Sequence, residues 1–147
     1  MKIAIIGTGN LGLSIAKGLV INNTYTTLYL TKRNLDTLSN WKEYKNVTLT
    51  KDNSKALSNA DIVIFAVQPN QFGAILNEIK PILNDKHVLI STITGYTIGR
   101  MESQIGNQYP IIRAMPNTAI SVGKSMTCLC NNTVGKKSLP IAEAIFN

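Results

Sequence analysis

The chain has 147 residues, of which 44% are hydrophobic and 16% charged, and its formal net charge at pH 7 is +7. This length suits one domain, residues 1–147, that buries about two thirds of the surface exposed by the unfolded chain. The composition is that of a soluble globular protein, and no apolar run approaches the roughly 20 residues of a membrane helix. The apolar start breaks at residues 7–10 with no cleavage site after it, so we expect no signal peptide and a cytoplasmic location.

Short apolar runs alternate with segments of helical period along the chain. Strands are predicted at residues 3–6, 27–30, 47–49, 62–66, 88–91, 111–113 and 126–130. Helices are predicted at residues 10–20, 35–44, 52–60, 69–83, 97–106 and 134–147. This alternation indicates a mostly parallel sheet covered on both faces, which is a doubly wound α/β domain.

The positive charge is compatible with an anionic partner such as a nucleotide or a nucleic acid, and equally with a proteome rich in lysine and asparagine. The basic residues are scattered along the chain, and only 6% of residues are aromatic. Nucleic-acid binding is therefore disfavoured. Phosphate groups on a small molecule fit the pattern better.

Two cysteines and one histidine are the candidates for metal or thiol chemistry. Cys128 and Cys130 fall on the same face of a predicted strand, and nothing elsewhere supplies the remaining ligands of a zinc site. We expect buried free thiols. His87 precedes an apolar run and is predicted to be a strand-edge residue without an acid or base role.

Three glycines directly follow the first predicted strand and open the first predicted helix. Gly7, Gly9 and Gly12 form the pattern G-x-G-x-x-G. The first glycine allows a tight turn, the second lets a pyrophosphate approach the backbone, and the third lets helix and strand pack closely. The pattern favours a dinucleotide-binding domain of Rossmann type, with a tight turn that holds no ligand as the alternative.

The second predicted strand ends without the acidic residue that usually binds the ribose 2′-hydroxyl of NAD. Thr31, Lys32 and Arg33 stand there instead, and offer a hydroxyl and two cations. This favours NADP(H), with NAD(H) as the other possible cofactor. The alternative is that both cations belong to a solvated loop.

Polar and small residues also follow two other predicted strands. Val67, Gln68 and Pro69 follow one of them, and the segment from Thr92 to Gly95 follows the other. Ligands bind at the carboxyl edge of open parallel sheets, so we expect both segments to border the cofactor.

Four segments together resemble the pyrroline-5-carboxylate reductase family, over its N-terminal cofactor domain. They are IGTGNLG, ADIVIFAVQP, LISTITGYTIGRME and IIRAMPNTAISVGKSMT. The last is the most specific, because Met-Pro-Asn-Thr after Ile-Arg is unusual in other dinucleotide folds. The resemblance covers essentially the whole chain.

The resemblance implies a set of cofactor-binding residues and a substrate side. Pyrophosphate would lie against Ile6, Gly7, Thr8, Gly9, Asn10, Leu11 and Gly12; the adenosine half against Thr31, Lys32, Arg33 and Asn53; the nicotinamide half against Ala66, Val67, Gln68, Pro69, Thr92, Ile93, Thr94 and Gly95; and Met115, Pro116 and Asn117 would shape the floor near the transferred hydride. No catalytic residue and no metal ligand is assigned.

By the same resemblance the function is NADPH-dependent reduction of the cyclic imine 1-pyrroline-5-carboxylate to proline. Gln68, Thr94 and Ala119 depart from the lysine, alanine and proline usual in the family. Family members continue into a helical domain that dimerises and closes the imine site, and this domain is missing from the 147 residues. The chain alone is therefore expected to be inactive, and homo-oligomers are expected to form through the missing domain. Alternatives are a related deazaflavin- or hydroxy-acid-linked reductase and a non-catalytic dinucleotide-binding module.

Overall fold

A computed structural model describes residues 1–146, with residue 118 described by its backbone alone, so residue 147 of the predicted domain and last helix lies outside the described residues. Within them one sheet has the strands β1 (Lys2–Ile6), β2 (Thr27–Thr31), β3 (Val47–Thr50), β4 (Ile62–Phe65), β5 (Val88–Ser91), β6 (Ile111–Met115) and β7 (Cys128–Asn131). Their order is β3-β2-β1-β4-β5-β6-β7. Strands β1 to β6 are parallel, and β7 is antiparallel to β6. The predicted doubly wound fold is confirmed.

Both faces of the sheet are buried because its strands are apolar at successive positions. Ile3 and Ile5 of β1 belong to one hydrophobic cluster, and Ala4 and Ile6 belong to the other. The first cluster lies under α1 (Asn10–Ile21) and α5 (Leu139–Phe146), and the second under α2 (Asn53–Ser58), α3 (Pro69–Ile79) and α4 (Ile98–Ile105). Helices on both faces explain the nearly continuous apolar strands that the sequence showed.

The chain reverses its direction across the sheet between β1 and β4. From β1 the chain builds β2 and β3 on one side, and it then returns to place β4 on the other side of β1. The Ala66 N–H donates to the Ile6 carbonyl oxygen at 2.9 Å, so the two strand ends lie side by side. Such a switch point leaves a crevice at the carboxyl ends of the strands, where ligands bind in this class of sheet.

Three of the predicted helices differ from those observed. The segment predicted at 35–44 is a 3-10 helix, Asp36–Glu43, whose buried Leu38 and Trp41 are three residues apart and so share a face at three residues per turn. Helix α3 ends at Ile79, before a short 3-10 helix that contains Pro81 and its missing N–H. The last segment begins as a 3-10 helix, Val134–Ser138, and continues as α5.

One element has no counterpart in the prediction. A 3-10 helix over Thr118–Val122 packs on α1, with Ile120 buried in the first cluster. A Cβ on Gly18 would lie 2.6 Å from the Ile120 carbonyl oxygen, so this close approach requires glycine in α1.

The prediction of buried thiols is wrong. Cys128 and Cys130 are both exposed, because β7 is an edge strand and only one of its faces meets the core. His87 directly precedes β5, but it is buried. Its Nδ1 accepts the Asn84 N–H at 3.1 Å and its Nε2 donates to the Leu57 carbonyl oxygen at 3.2 Å, so the ring fastens a loop to α2. Among residues 1–146 no helix combines the length and apolarity needed to cross a bilayer.

Candidate functional site

Packing requires glycine at the first and third positions of the G-x-G-x-x-G pattern, in the turn between β1 and α1. Gly7 has φ +89°, and a Cβ there would lie 2.8 Å from the Ala66 carbonyl oxygen. A Cβ on Gly12 would lie less than 3.0 Å from the Gly7 carbonyl oxygen. The structural roles predicted for these two glycines, a tight turn and close packing, are therefore confirmed.

Gly9 differs, because no atom beyond its own residue and its two chain neighbours lies within 4 Å of the place where its Cβ would be. It is the N-cap of α1 with an ordinary φ of −77°, and no side chain caps the helix. The first-turn N–H groups of a helix have no partner within the helix, and they attract anions. Neither backbone strain nor packing requires glycine here, and the open position leaves room for a ligand to approach the helix N-terminus.

The turn is tied to the end of β2 by Thr31. The Gly7 N–H donates to the Thr31 hydroxyl oxygen at 3.2 Å. The backbone N–H and the hydroxyl of Thr8 both donate to the Thr31 carbonyl oxygen, at 3.0 and 2.9 Å. Both threonines are buried, so these three hydrogen bonds fix the turn from inside the protein.

A cavity of about 600 Å³ opens beside the turn, over the ends of β1, β2 and β3. It is lined by Ile6, Gly7, Thr8, Gly9, Thr31, Lys32, Arg33, Asn34, Lys51, Asn53, Ala66, Val67, Gln68, Gln71, Ala74 and Ile75. Three of these residues are cations, and none is acidic. The Lys32 N–H donates to the Thr50 carbonyl oxygen at 3.2 Å, which holds the loops carrying Lys32 and Lys51 together.

Asn53 begins α2 at the wall of this cavity. Asp52 caps the helix by accepting the Lys55 N–H at 2.8 Å. The Asn53 amide nitrogen donates to a Glu78 carboxylate oxygen of α3 at 3.3 Å. Since this bond uses the amide N–H, the side chain retains its oxygen as an acceptor for a hydroxyl or amino group.

A second cavity, of about 420 Å³, lies over the ends of β4 and β5. Its lining is Gly9, Asn10, Leu11, Ala66, Val67, Gln68, Pro69, Thr92, Ile93 and Thr94, of which four residues also line the first cavity. The Thr92 hydroxyl donates to the Phe65 carbonyl oxygen at 2.8 Å, while Thr94 is exposed. The two cavities form one groove that crosses the glycine turn.

Most of the predicted residues meet in this groove, but Gly12, Gly95, Met115, Pro116 and Asn117 do not line either cavity. Gly12 lies behind the turn. Met115 ends β6, one strand beyond β5, and Pro116 and Asn117 follow it. The Asn117 side chain accepts the Ala119 N–H at 3.1 Å as a helix cap. The substrate-side role of residues 115–117 stays a prediction.

Lys51 is the principal cavity residue that sequence reasoning missed. It directly follows β3, and the carboxyl ends of parallel strands share one edge, so its position after the third strand was a usable signal. Gln71, Ala74 and Ile75 were missed as well, although they follow Gln68 at helical spacing along α3.

This chain is similar to reductases in sequence and in structure. The family described as NADP oxidoreductase coenzyme F420-dependent matches residues 2–95. Pyrroline-5-carboxylate reductase 2 of Dictyostelium discoideum is 36% identical over 163 residues, covering 99% of this chain and 54% of that protein. The structure of a pyrroline-5-carboxylate reductase from Coxiella burnetii aligns with a TM-score of 0.90 and 37% identity, over 99% of this chain and 55% of its own.

A second solved structure was determined with a bound nucleotide. Plasmodium falciparum pyrroline carboxylate reductase with NADP bound aligns with a TM-score of 0.86 and 29% identity, over 100% of this chain and 54% of its own. The chain thus spans about half the length of these relatives. The resemblance drawn from the four sequence segments is confirmed.

Proposed function

Because the chain belongs to the family described as NADP oxidoreductase coenzyme F420-dependent, we propose that it is the NADP(H)-binding part of a reductase. The observation that carries the proposal is the groove itself. Its middle is the open turn at Gly9, one end holds three cations, and the other end lies over β4 and β5. A dinucleotide has the same order of parts, with a diphosphate between two nucleosides.

The diphosphate lies at Gly9 in this proposal. The empty space in place of a Cβ lets phosphate oxygens approach the N–H groups at the start of α1, including those of Asn10 and Leu11. Ile6, Gly7 and Thr8 form the wall of the turn. Thr8 supports the turn from inside, since its side chain is fully buried.

The adenosine half occupies the first cavity. Lys32, Arg33 and Lys51 surround the place of the ribose 2′-phosphate, and no lining residue repels that charge. The Thr31 hydroxyl oxygen accepts the Gly7 N–H, so Thr31 contributes by holding the turn in place. The Asn53 side-chain oxygen faces the adenosine as an acceptor. Because the described lining of this cavity holds three cations and no acidic residue, it favours NADPH over NADH by about tenfold or more.

The nicotinamide half occupies the second cavity, between the loop that carries Pro69 and the loop of residues 92–95. When bound, the reduced nicotinamide supplies the hydride. Ala66, Val67 and Gln68 form the wall beneath the ring, and Thr92 anchors its loop to β4. These residues orient the ring and exclude water from one side of it, and we assign none of them as catalytic.

The substrate is 1-pyrroline-5-carboxylate and the product proline. This assignment rests on relatives named pyrroline-5-carboxylate reductase, two of which match 99% and 100% of this chain. The part of those relatives beyond this chain is proposed to supply the remainder of the imine site and a homo-oligomeric interface, with Met115, Pro116 and Asn117 on the substrate side. We place the protein in the cytoplasm.

The family description names coenzyme F420, and this favours a second candidate, an NADP-dependent reductase of a deazaflavin. The family match ends at residue 95, whereas the pyrroline-5-carboxylate reductases match the segments after it as well. We therefore rank the imine first. A dinucleotide-binding module without catalysis is the third reading.

Two assays test the proposal. Titration of the 147-residue chain, followed by NADPH fluorescence, is expected to give saturable binding that is at least tenfold tighter than that of NADH. A protein that contains this chain and the remainder of its natural sequence is then mixed with 1-pyrroline-5-carboxylate and NADPH, and absorbance is followed. Binding with turnover of oxidised F420 instead supports the second candidate, and binding without either turnover supports the third. Absence of NADPH binding at millimolar concentration refutes all three.

A further inference from the structure

The two cysteines of β7 lie on one exposed face at the edge of the sheet. Cys128 and Cys130 are free thiols, and they alternate along the strand with the half-buried Leu129. Residues two apart in a strand point to the same side of the sheet. Since β7 is the last strand in the sheet order and packs its other face on the core, both thiols are open to the solvent from one direction.

The facing residues of β6 add a third sulfur atom and a cation to this face. In the antiparallel pair Cys128 lies opposite Met115, and Cys130 lies opposite Arg113. Directly opposite side chains share a face with Cβ atoms about 4.5–5.5 Å apart, and diagonal neighbours are within reach of long side chains. Met115 is 39% exposed, and its sulfur lies 3.6 Å from the Arg113 Nη2. Met115, Cys128 and Cys130 therefore form one sulfur cluster.

The spacing of the two thiols suits a shared metal ion better than a disulfide. Residues two apart in a strand have Cβ atoms about 6.5–7 Å apart, whereas a disulfide needs about 3.5–4.5 Å. A metal ion tolerates the larger spacing, because each sulfur lies about 2.3 Å from the metal and the two sulfurs do not bond to each other. Cys128 and Cys130 can therefore chelate an ion without a change in the strand.

The ligand types select the metal. Thiolate and thioether sulfur favour Cu(I), whereas a structural zinc site takes four ligands, almost always from cysteine, histidine and carboxylate side chains. Among residues 1–146 no group of three or more histidine, cysteine, aspartate and glutamate side chains could hold a metal ion. A methionine thioether is a ligand that copper accepts and zinc does not prefer. The sulfur cluster thus matches Cu(I).

We propose that Met115, Cys128 and Cys130 form a Cu(I)-binding site at the β6–β7 edge. Binding releases the two thiol protons to the solvent and leaves one copper ion held by two thiolates and a thioether, with a net negative charge. The Arg113 guanidinium, opposite Cys130, offsets that charge. None of these four residues lines either cavity, so the proposal stands or falls separately from the proposed function.

The test transfers Cu(I) to the reduced 147-residue chain under nitrogen from its coloured complex with bathocuproine disulfonate. Loss of the colour gives stoichiometry and affinity, and one Cu(I) per chain is expected. Cys128→Ser and Cys130→Ser are each expected to weaken binding about 100-fold or more, and Met115→Leu about tenfold. Met126→Leu is the matched control, because Met126 is 81% exposed but lies outside the pairing of β6 with β7. Its affinity is expected to stay within about twofold.

Copper X-ray absorption on the same samples counts the ligands, with three sulfur atoms expected in the original chain and two in Met115→Leu. The proposal is overturned if both cysteine variants bind Cu(I) like the original chain, or if one Cu(I) binds per two chains, which assigns the metal to thiols of different molecules. Equal losses in Met115→Leu and Met126→Leu also overturn it. A melting curve without copper checks the fold of each variant, and alanine replaces serine in any cysteine variant that melts early.

Discussion

Alanine substitutions at two glycines of one turn are expected to have opposite consequences. At Gly12, the new Cβ would lie less than 3.0 Å from the Gly7 carbonyl oxygen and 3.2 Å from its carbon. Both are backbone atoms, so β1 or α1 must move, at a cost of about 1–3 kcal/mol for overpacking. Better helix propensity returns up to about 1 kcal/mol. Gly12→Ala should therefore lower Tm by several degrees, at about 4 °C per kcal/mol.

At Gly9, the new Cβ would meet no atom within 4 Å beyond those of its two chain neighbours, and the backbone φ of −77° suits alanine. The poorer N-cap and the reduced entropy of the unfolded chain each change stability by less than about 1 kcal/mol, in opposite directions. Gly9→Ala should leave Tm within about 2 °C. The methyl group keeps a phosphate from the helix N-terminus, and loss of one charge-assisted bond weakens NADPH binding about 10- to 100-fold.

Differential scanning fluorimetry and NADPH fluorescence titration measure both quantities on the same samples. Gly12→Ala reports how much binding is lost through damage to the fold. If Gly9→Ala binds NADPH as tightly as the original chain, the reasoning about the open position is refuted. It is equally refuted if Gly9→Ala loses binding only in proportion to a loss of stability.

Lys32→Glu and Lys51→Glu are each expected to raise the NADPH dissociation constant about tenfold and that of NADH less than twofold, because both side chains line the cavity proposed for the 2′-phosphate. Lys86→Glu is the charge-matched control in these titrations, because Lys86 precedes β5 at the amino ends of the parallel strands. Equal losses of affinity for both nucleotides contradict the assignment. Asn132→Ala is expected to lower the free energy of unfolding by about 2–4 kcal/mol, because its buried side-chain oxygen accepts two backbone N–H groups at 3.0 and 2.7 Å. Urea denaturation measures this change, and an unaltered midpoint would show that water or a local shift replaces those bonds.

The glycine turn could be predicted because the spacing of its glycines matches the conformation and packing that a strand–turn–helix junction requires. A strand, a reversal and a helix within a few residues force a positive φ at Gly7 and close contact at Gly12. Parallel strand order was predictable for a similar reason, since short apolar strands separated by helices have few ways to bury both faces.

The features that were missed depend on tertiary contacts. Thr118–Val122 becomes a helix against α1, and nothing in its own pattern distinguishes it from a loop. Cys128 and Cys130 are exposed because β7 closes the sheet as an antiparallel edge, a position that the apolar residues of the strand do not encode. Lys51 follows a predicted strand, which was a usable signal, but its place in the cavity depends on the pairing of β3 with β2.

Thr31 ties the glycine turn to β2 through its own hydroxyl and carbonyl oxygens. The conformational entropy of this turn is therefore lost when the chain folds, and nucleotide binding does not have to order it. One consequence is kinetic. Association should proceed in a single diffusive step without a slow isomerisation, and Thr31→Val should add a concentration-independent phase to stopped-flow traces.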